Sequence, residues 1–144
     1  KRMSGNAATR FPWADGKTYR FALPIAQLEE LQDATGAGPE ELLARLSILP
    51  GDQGGIVESV RLGLLRPRAK DLIEAHRLGL IGGGDVDAAD AAALADRYVA
   101  RRPRAESYVS AHAILLAAVM GVPEDAVGKS VAEEVEAPAS QMAE

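Results

Sequence analysis

The alternation of apolar and polar positions near the N-terminus predicts a β-hairpin. Between residues 18 and 23, apolar side chains occupy every second position, which places them on one face of a strand. Residues 11–13 are also β-prone, and Asp15-Gly16 lies between the two runs, where an Asp-Gly pair favours a hairpin turn. Since an isolated hairpin is marginal in water, we expect this one to pack on helices or on another chain.

Apolar residues at helical spacing follow the hairpin and predict a mainly α-helical domain. Pro24, Pro39 and Pro103 each precede such a run, and proline is tolerated in the first helical turn. Gly36 and Gly121 each follow one, and glycine is the usual residue just past a helix end. The predicted fold class is therefore mainly α, with the N-terminal β-hairpin packed on a bundle of about five to six short helices.

Three consecutive glycines at 82–84 interrupt the helical pattern in the middle of the chain. Each glycine in a helix costs roughly 1 kcal/mol relative to alanine. We therefore expect the helix that contains residues 73–81 to stop at these glycines, and the chain to restart at Asp85, with Asp85 or Asp87 as the next helix cap. The later helix, around residues 108–119, is apolar almost all round, which predicts that it is the central one.

The distribution of polar residues divides the chain into three parts. Residues 1–10 are predicted to form a mobile N-terminal arm, residues 11–122 a single helical domain, and residues 123–144 an acidic C-terminal tail of low hydrophobicity. Within the domain, residues 49–55 are predicted to be a loop. Residues 57–65 resemble residues 73–81, which predicts two similarly packed helices rather than a solenoid, because a solenoid needs three or more repeats.

Composition and motifs argue against several classes of function. The formal net charge is -5 and the sequence pI about 5.1, whereas proteins that grip nucleic acid show a basic face or a high pI. The chain has no cysteine, and neither His76 nor His112 has a second histidine at metal-binding spacing. The longest apolar run is too short to span a bilayer. We expect no enzymatic activity, no cofactor, no metal, no nucleic acid and no membrane partner; a small enzyme or nucleic-acid binder is a distant alternative.

Two groups of residues are candidates for protein binding. Trp13 and Tyr19 belong to the aromatic-rich hairpin, and Trp13 either packs the hairpin onto the helices or contacts another protein, since Trp is enriched at interfaces. Arg101, Arg102 and Arg104 form the second group. They either complement the end of a helix, where cations are favoured, or bind an acidic patch of a partner.

Two blocks of sequence carry a family resemblance. The first contains Asp15-Gly16, Tyr19-Arg20-Phe21-Ala22-Leu23-Pro24-Ile25 and Thr35-Gly36-Ala37-Gly38-Pro39. The second contains Arg77-Leu78-Gly79-Leu80-Ile81-Gly82-Gly83-Gly84, with Tyr98-Val99, Arg102-Pro103 and Gly121-Val122 after it. Together they resemble the gene transfer agent tail protein family of alphaproteobacterial gene transfer agents and related long-tailed phages. One departure is the stretch 47–70, which is longer than the usual link of that family.

The resemblance implies a role in tail assembly. The family is grouped with phage tail assembly chaperones and is also labelled a tail tube protein. The implied function is a tail assembly chaperone that binds the tape measure protein or tail tube precursors, in the bacterial cytoplasm during particle assembly, with self-association a further expectation. The alternative is a structural tail component retained in the virion, although a polymerising tube subunit usually needs a larger β-sheet than this sequence predicts. The family offers no catalytic residues to carry over.

Overall fold

The computed structural model of the protein describes residues 7–46 and 67–122, which form a two-stranded sheet and five α-helices. The strands are β1 (Ala8–Pro12) and β2 (Thr18–Ala22), and the helices are α1 (Ile25–Thr35), α2 (Pro39–Arg45), α3 (Ala69–Gly83), α4 (Ala88–Ala95) and α5 (Tyr108–Met120). A π-helical turn (Asp96–Ala100) continues α4, and a 3-10 turn (Arg104–Ser107) precedes α5. The predicted fold class, mainly α with an N-terminal hairpin packed on helices, is confirmed.

The hairpin forms where the sequence predicted it, around Asp15-Gly16. β1 and β2 pair antiparallel, and the amide of Gly16, at φ 83°, donates to the carbonyl of Trp13 over 2.8 Å. The Asp15 carboxylate accepts hydrogen bonds from the Lys17 amide (3.0 Å) and the Tyr19 hydroxyl (2.6 Å), which holds the turn against β2. β1 begins at Ala8, so residues 8–10 of the predicted arm belong to the sheet, because they pair with residues 20–22.

Several observed helix ends lie at the residues that the sequence predicted. Pro24 directly precedes α1, and α1 ends at Gly36, whose amide donates to the carbonyl of Gln32. Pro39 is the first residue of α2. Asp87, rather than Asp85, caps α4, and its side chain accepts a hydrogen bond from the Asp90 amide at 2.8 Å. Proline and glycine therefore located these helix ends through their local backbone preferences alone.

The central helix is α3, not α5 as the sequence analysis expected. α3 packs against β2, α1, α4, α5 and both short turns, and its leucines 72, 78 and 80 are buried. α5 packs against α2, α3 and the hairpin, but its outer side leaves Val109, Leu116 and Met120 exposed. The nearly continuous apolar surface of α5 therefore includes an outer face that the rest of the described chain does not cover.

α3 ends within the glycine run, as the sequence predicted: Gly82 and Gly83 are its last residues, and Gly84, which adopts φ 86°, caps it. The backbone of β2 explains why glycine occupies the last two helical positions. A Cβ atom at position 82 would lie 2.1 Å from the Ala22 carbonyl oxygen, and one at position 83 would lie 1.7 Å from the Arg20 carbonyl oxygen. Glycine has no Cβ, so it allows the strand to approach the helix this closely.

Several sequence predictions fall wholly or partly outside the described residues. The loop at 49–55, the first copy of the short repeat at 57–65 and the acidic tail at 123–144 all lie there, as do residues 1–6 of the predicted arm. The second copy of the repeat, residues 73–81, lies within α3.

Candidate protein-binding surfaces

Trp13 lies at the joint between the hairpin and α3. Its ring stacks on the imidazole of His76, with centroids 5.4 Å apart and an interplanar angle of 12°. It also contacts the rings of Tyr19 (6.0 Å), Phe21 (5.7 Å) and Tyr98 (5.8 Å). The half-buried Trp13 therefore packs the hairpin onto the helices, which is one of the two roles that the sequence left open; a role in binding another protein stays a prediction.

Tyr19 is part of the same aromatic cluster and is buried. Its hydroxyl donates to the Asp15 carboxylate, and this hydrogen bond, together with burial, raises the pKa of Tyr19 to about 12. The side chain is thus fixed inside the hairpin. The structure brings the rings of Trp13 and Tyr19 together as internal packing; a role of Tyr19 in binding another protein stays a prediction.

The buried His76 and the half-buried Ser110 form a hydrogen-bonded pair between α3 and α5. The imidazole Nδ1 lies 2.8 Å from the carbonyl of Leu72, which only accepts, so Nδ1 carries the proton. Nε2 therefore accepts from the Ser110 hydroxyl at 2.6 Å. Burial lowers the pKa of His76 to about 4, so the ring is neutral at pH 7.

A serine bonded to a histidine is also the first element of a nucleophile–base pair. Here the imidazole is completely buried, with Trp13 stacked on its face. In such a pair the imidazole must also pass the serine proton on to the leaving group of a substrate, and this ring has no exposed surface from which to do so. The pair joins α3 to α5.

The three candidate arginines are exposed and lie before α5, on elements separate from the hairpin aromatics. Arg101 pairs with Asp96 and Arg102 with Glu106, each at 2.9 Å. Such exposed pairs are weak, contributing about 0–1 kcal/mol. We name Arg101, Arg102 and Arg104 the arginine cluster; its positive charge is accessible to an acidic partner, as the sequence analysis considered.

Sequence reasoning missed a buried ionic site between α2 and α3. The Asp71 carboxylate, fully buried, accepts from Arg45 Nη1 and from the Arg68 amide, each at 2.9 Å through Oδ2. The Arg68 guanidinium Nε lies 3.7 Å from Oδ1 and its Nη2 donates to the Thr35 carbonyl. Asp71 lies in the first turn of α3, and this position, favourable for an acid, was the one available signal.

The outer side of α5 carries three of the four large apolar side chains that are exposed among the described residues. We name Val109, Ala113, Leu116 and Met120 the outer stripe; the three larger side chains are 53%, 40% and 72% exposed. Ala113 is half-buried between them. These residues lie within about 60° of one another around the helix axis, since each residue advances about 100°. The stripe is therefore continuous along α5.

Two classes of site are absent from the described ranges 7–46 and 67–122. No cluster of three His, Cys, Asp or Glu side chains there could hold a metal ion. No helix in those ranges is long and apolar enough to cross a membrane.

Comparison with known families places most of the chain in a family model. The family model described as phage tail tube protein, GTA-gp10, matches residues 6–121, which span every strand and helix of the described structure. No curated protein and no solved structure matches the chain.

Proposed function

Because the chain belongs to the phage tail tube protein family GTA-gp10, we propose that it is a structural component of the tail, retained in the finished phage or gene transfer agent particle. The family match over residues 6–121 is the observation that carries this proposal. The family resemblance in the sequence favours an assembly chaperone, whereas the description of the matched family supports the alternative, a tail component, more directly.

The partners in this proposal are other tail proteins, and the exposed surfaces suit protein contacts. The outer stripe of α5 offers apolar area, and the arginine cluster offers positive charge in the segment that precedes α5. Apolar centres with charged rims are typical of protein interfaces. We propose no catalytic role for the Ser110–His76 pair, since its imidazole is completely buried.

A second candidate is the tail assembly chaperone, which one feature of the hairpin favours. A tube wall built from β-strands needs sheet edges that pair between subunits. In this fold the free edge of β2 is covered, because the Arg20 amide donates to Asp85 at 2.9 Å and its carbonyl lies against Gly83. A helical protein that binds tail proteins before they polymerise would not need that edge.

Quantitative mass spectrometry distinguishes the two candidates. The chain is measured in purified particles and in the lysate that produced them, each time as a ratio to another tail protein of the same particle. We expect a fixed copy number per particle, unchanged by further purification. Abundance in the lysate with near absence from particles would refute the structural proposal and support the chaperone.

A further inference from the structure

The outer stripe of α5 has the spacing of a helix–helix seam. Val109, Ala113, Leu116 and Met120 are separated by four, three and four residues, the alternation that recurs along the contact line of coiled coils. The same order of spacings results when the stripe is read from its other end. We propose that a second copy of this chain covers the stripe, through an antiparallel contact between the two α5 helices across a two-fold axis.

The side chains of the stripe are complementary to themselves in this arrangement. An axis at the level between Ile114 and Leu115 places Val109 opposite Met120 of the second copy. The same axis places Ala113 opposite Leu116, so each leucine faces the gap left by a small residue. A two-fold contact uses the same patch on both copies, and this stripe meets that condition through its sequence alone.

Charge distribution favours the antiparallel orientation over the parallel one. α5 itself contains no Asp, Glu, Lys or Arg, so no like charges oppose each other along the seam. The arginine cluster precedes its N-terminal end, whereas the sequence after residue 122 contains six acidic residues and one lysine. Antiparallel pairing places the basic end of each copy beside Met120 of the other, the end of α5 after which this acidic sequence follows. Parallel pairing would place the two arginine clusters side by side.

The size of the seam sets the expected strength. α5 has 13 residues and is therefore about 20 Å long. A single helix pair of this length falls below the roughly 1,200 Å² that stable interfaces bury. We expect a reversible dimer with a dissociation constant on the order of 10 μM. This inference stands on the surface of α5 and does not depend on the role of the protein in the tail.

Sedimentation velocity of the full chain, from about 1 to about 300 μM, tests the proposal around that expected constant. Leu116→Lys places a charge at the centre of the seam and is expected to weaken dimerisation at least about 30-fold, since an unpaired charge would be buried there. Ile25→Lys is the matched control, because Ile25 is 72% exposed on α1. It should leave the dimer unchanged. Circular dichroism confirms that both variants keep their helices.

A mixing experiment tests the register and orientation. Val109→Glu and Met120→Lys change residues that lie on the exposed stripe, and each variant alone is expected to dimerise about tenfold more weakly, since each places a charge against an apolar side chain. In an equimolar mixture, the carboxylate introduced at position 109 of one copy would face the ammonium group introduced at position 120 of the other. Dimerisation should then recover to within about threefold of the native chain. Parallel helices would leave these two charges at opposite ends of the seam.

Three results would overturn the proposal. The native chain could remain monomeric at every concentration, which would mean that another partner or another part of the chain covers the stripe. Dimerisation could survive Leu116→Lys and disappear with Ile25→Lys, which would move the interface to α1. The mixture of the two charged variants could fail to recover, which would exclude the antiparallel register.

Discussion

Replacing Gly83 by alanine separates two physical effects that have opposite signs. Within an isolated helix, alanine is favoured over glycine by about 1 kcal/mol, so local propensity predicts stabilisation. In the structure, the new Cβ would lie 1.7 Å from the Arg20 carbonyl oxygen. Contacts of Cβ atoms essentially never fall under 3.0 Å, so β2 would have to retreat by more than about 1 Å from a close-packed position.

The expected size of the effect follows from the nature of the obstacle. Overpacking a core costs about 1–3 kcal/mol, and we take the upper end because a backbone carbonyl within a paired strand cannot rotate away as a side chain can. Subtracting the propensity gain leaves a net loss of about 2 kcal/mol in the free energy of unfolding. Gly82→Ala should behave similarly, since its Cβ would lie 2.1 Å from the Ala22 carbonyl oxygen.

Gly84→Ala is the matched control, one residue further along. No atom lies within 4 Å of its Cβ position, but its φ of +86° is unfavourable for alanine, so we expect a loss of about 1 kcal/mol from backbone strain alone. Urea unfolding followed by circular dichroism measures all three variants. With an m-value of about 2 kcal/mol/M, Gly83→Ala should lower the midpoint by about 1 M.

Amide hydrogen exchange supplies a second readout, because β2 amides should lose protection in the Gly83 variant before those of α1 do. If Gly83→Ala raised the midpoint, or lowered it less than Gly84→Ala, the close approach of β2 to α3 would be wrong.

Three further predictions concern the interior. The pKa of His76 is about 4 in the folded protein, against an ordinary value of 6.5. As the pH falls, the unfolded chain therefore binds a proton before the folded protein does. The free energy of unfolding should be unaffected above pH 6.5 and should drop by about 2.5 kcal/mol at pH 4.5. Urea midpoints at both pH values should show this drop in the native chain and in His112→Gln, but much less of it in His76→Gln; equal slopes in all three would contradict the assignment. Asp71→Ala leaves the Arg45 guanidinium without its buried partner and should lower the free energy of unfolding by about 3 kcal/mol. Glu41→Ala removes the exposed partner of the same arginine and should cost under about 0.5 kcal/mol. Similar losses in the two variants would argue against a buried ion pair. Trp13→Ala should lower the free energy of unfolding by about 2–3 kcal/mol, because the ring is half-buried, and should leave the oligomer size unchanged. A loss of oligomers at an unchanged free energy of unfolding would instead support a role of Trp13 in binding.

The hairpin and the ends of several helices could be predicted because short-range signals determine them. Asp15-Gly16 sets the turn, Pro39 starts a helix and Gly36 ends one, each through the backbone preferences of the residue itself. The family was also identifiable, since the residues of the two blocks lie inside the matched range, apart from Val122 at its end.

The central position of α3 could not be predicted, for a physical reason visible at its glycines. Local propensity counts Gly82 and Gly83 only as helix breakers, whereas their value here comes from the approach of a strand far earlier in the chain. The outer stripe of α5 illustrates the same limit. An apolar helix reports that burial is favourable, but its sequence does not say whether the covering surface belongs to the same molecule.

The position of Trp13 has a consequence for spectroscopy. The chain contains one tryptophan, and it lies between the hairpin and α3, stacked on an imidazole. Its fluorescence therefore reports whether the hairpin is docked, while the far-ultraviolet dichroism of the same sample reports the helices. Coincident unfolding curves would mean that the hairpin and the bundle form one cooperative unit. Separate curves would resolve the detachment of the hairpin as a distinct step, without any label added to the protein.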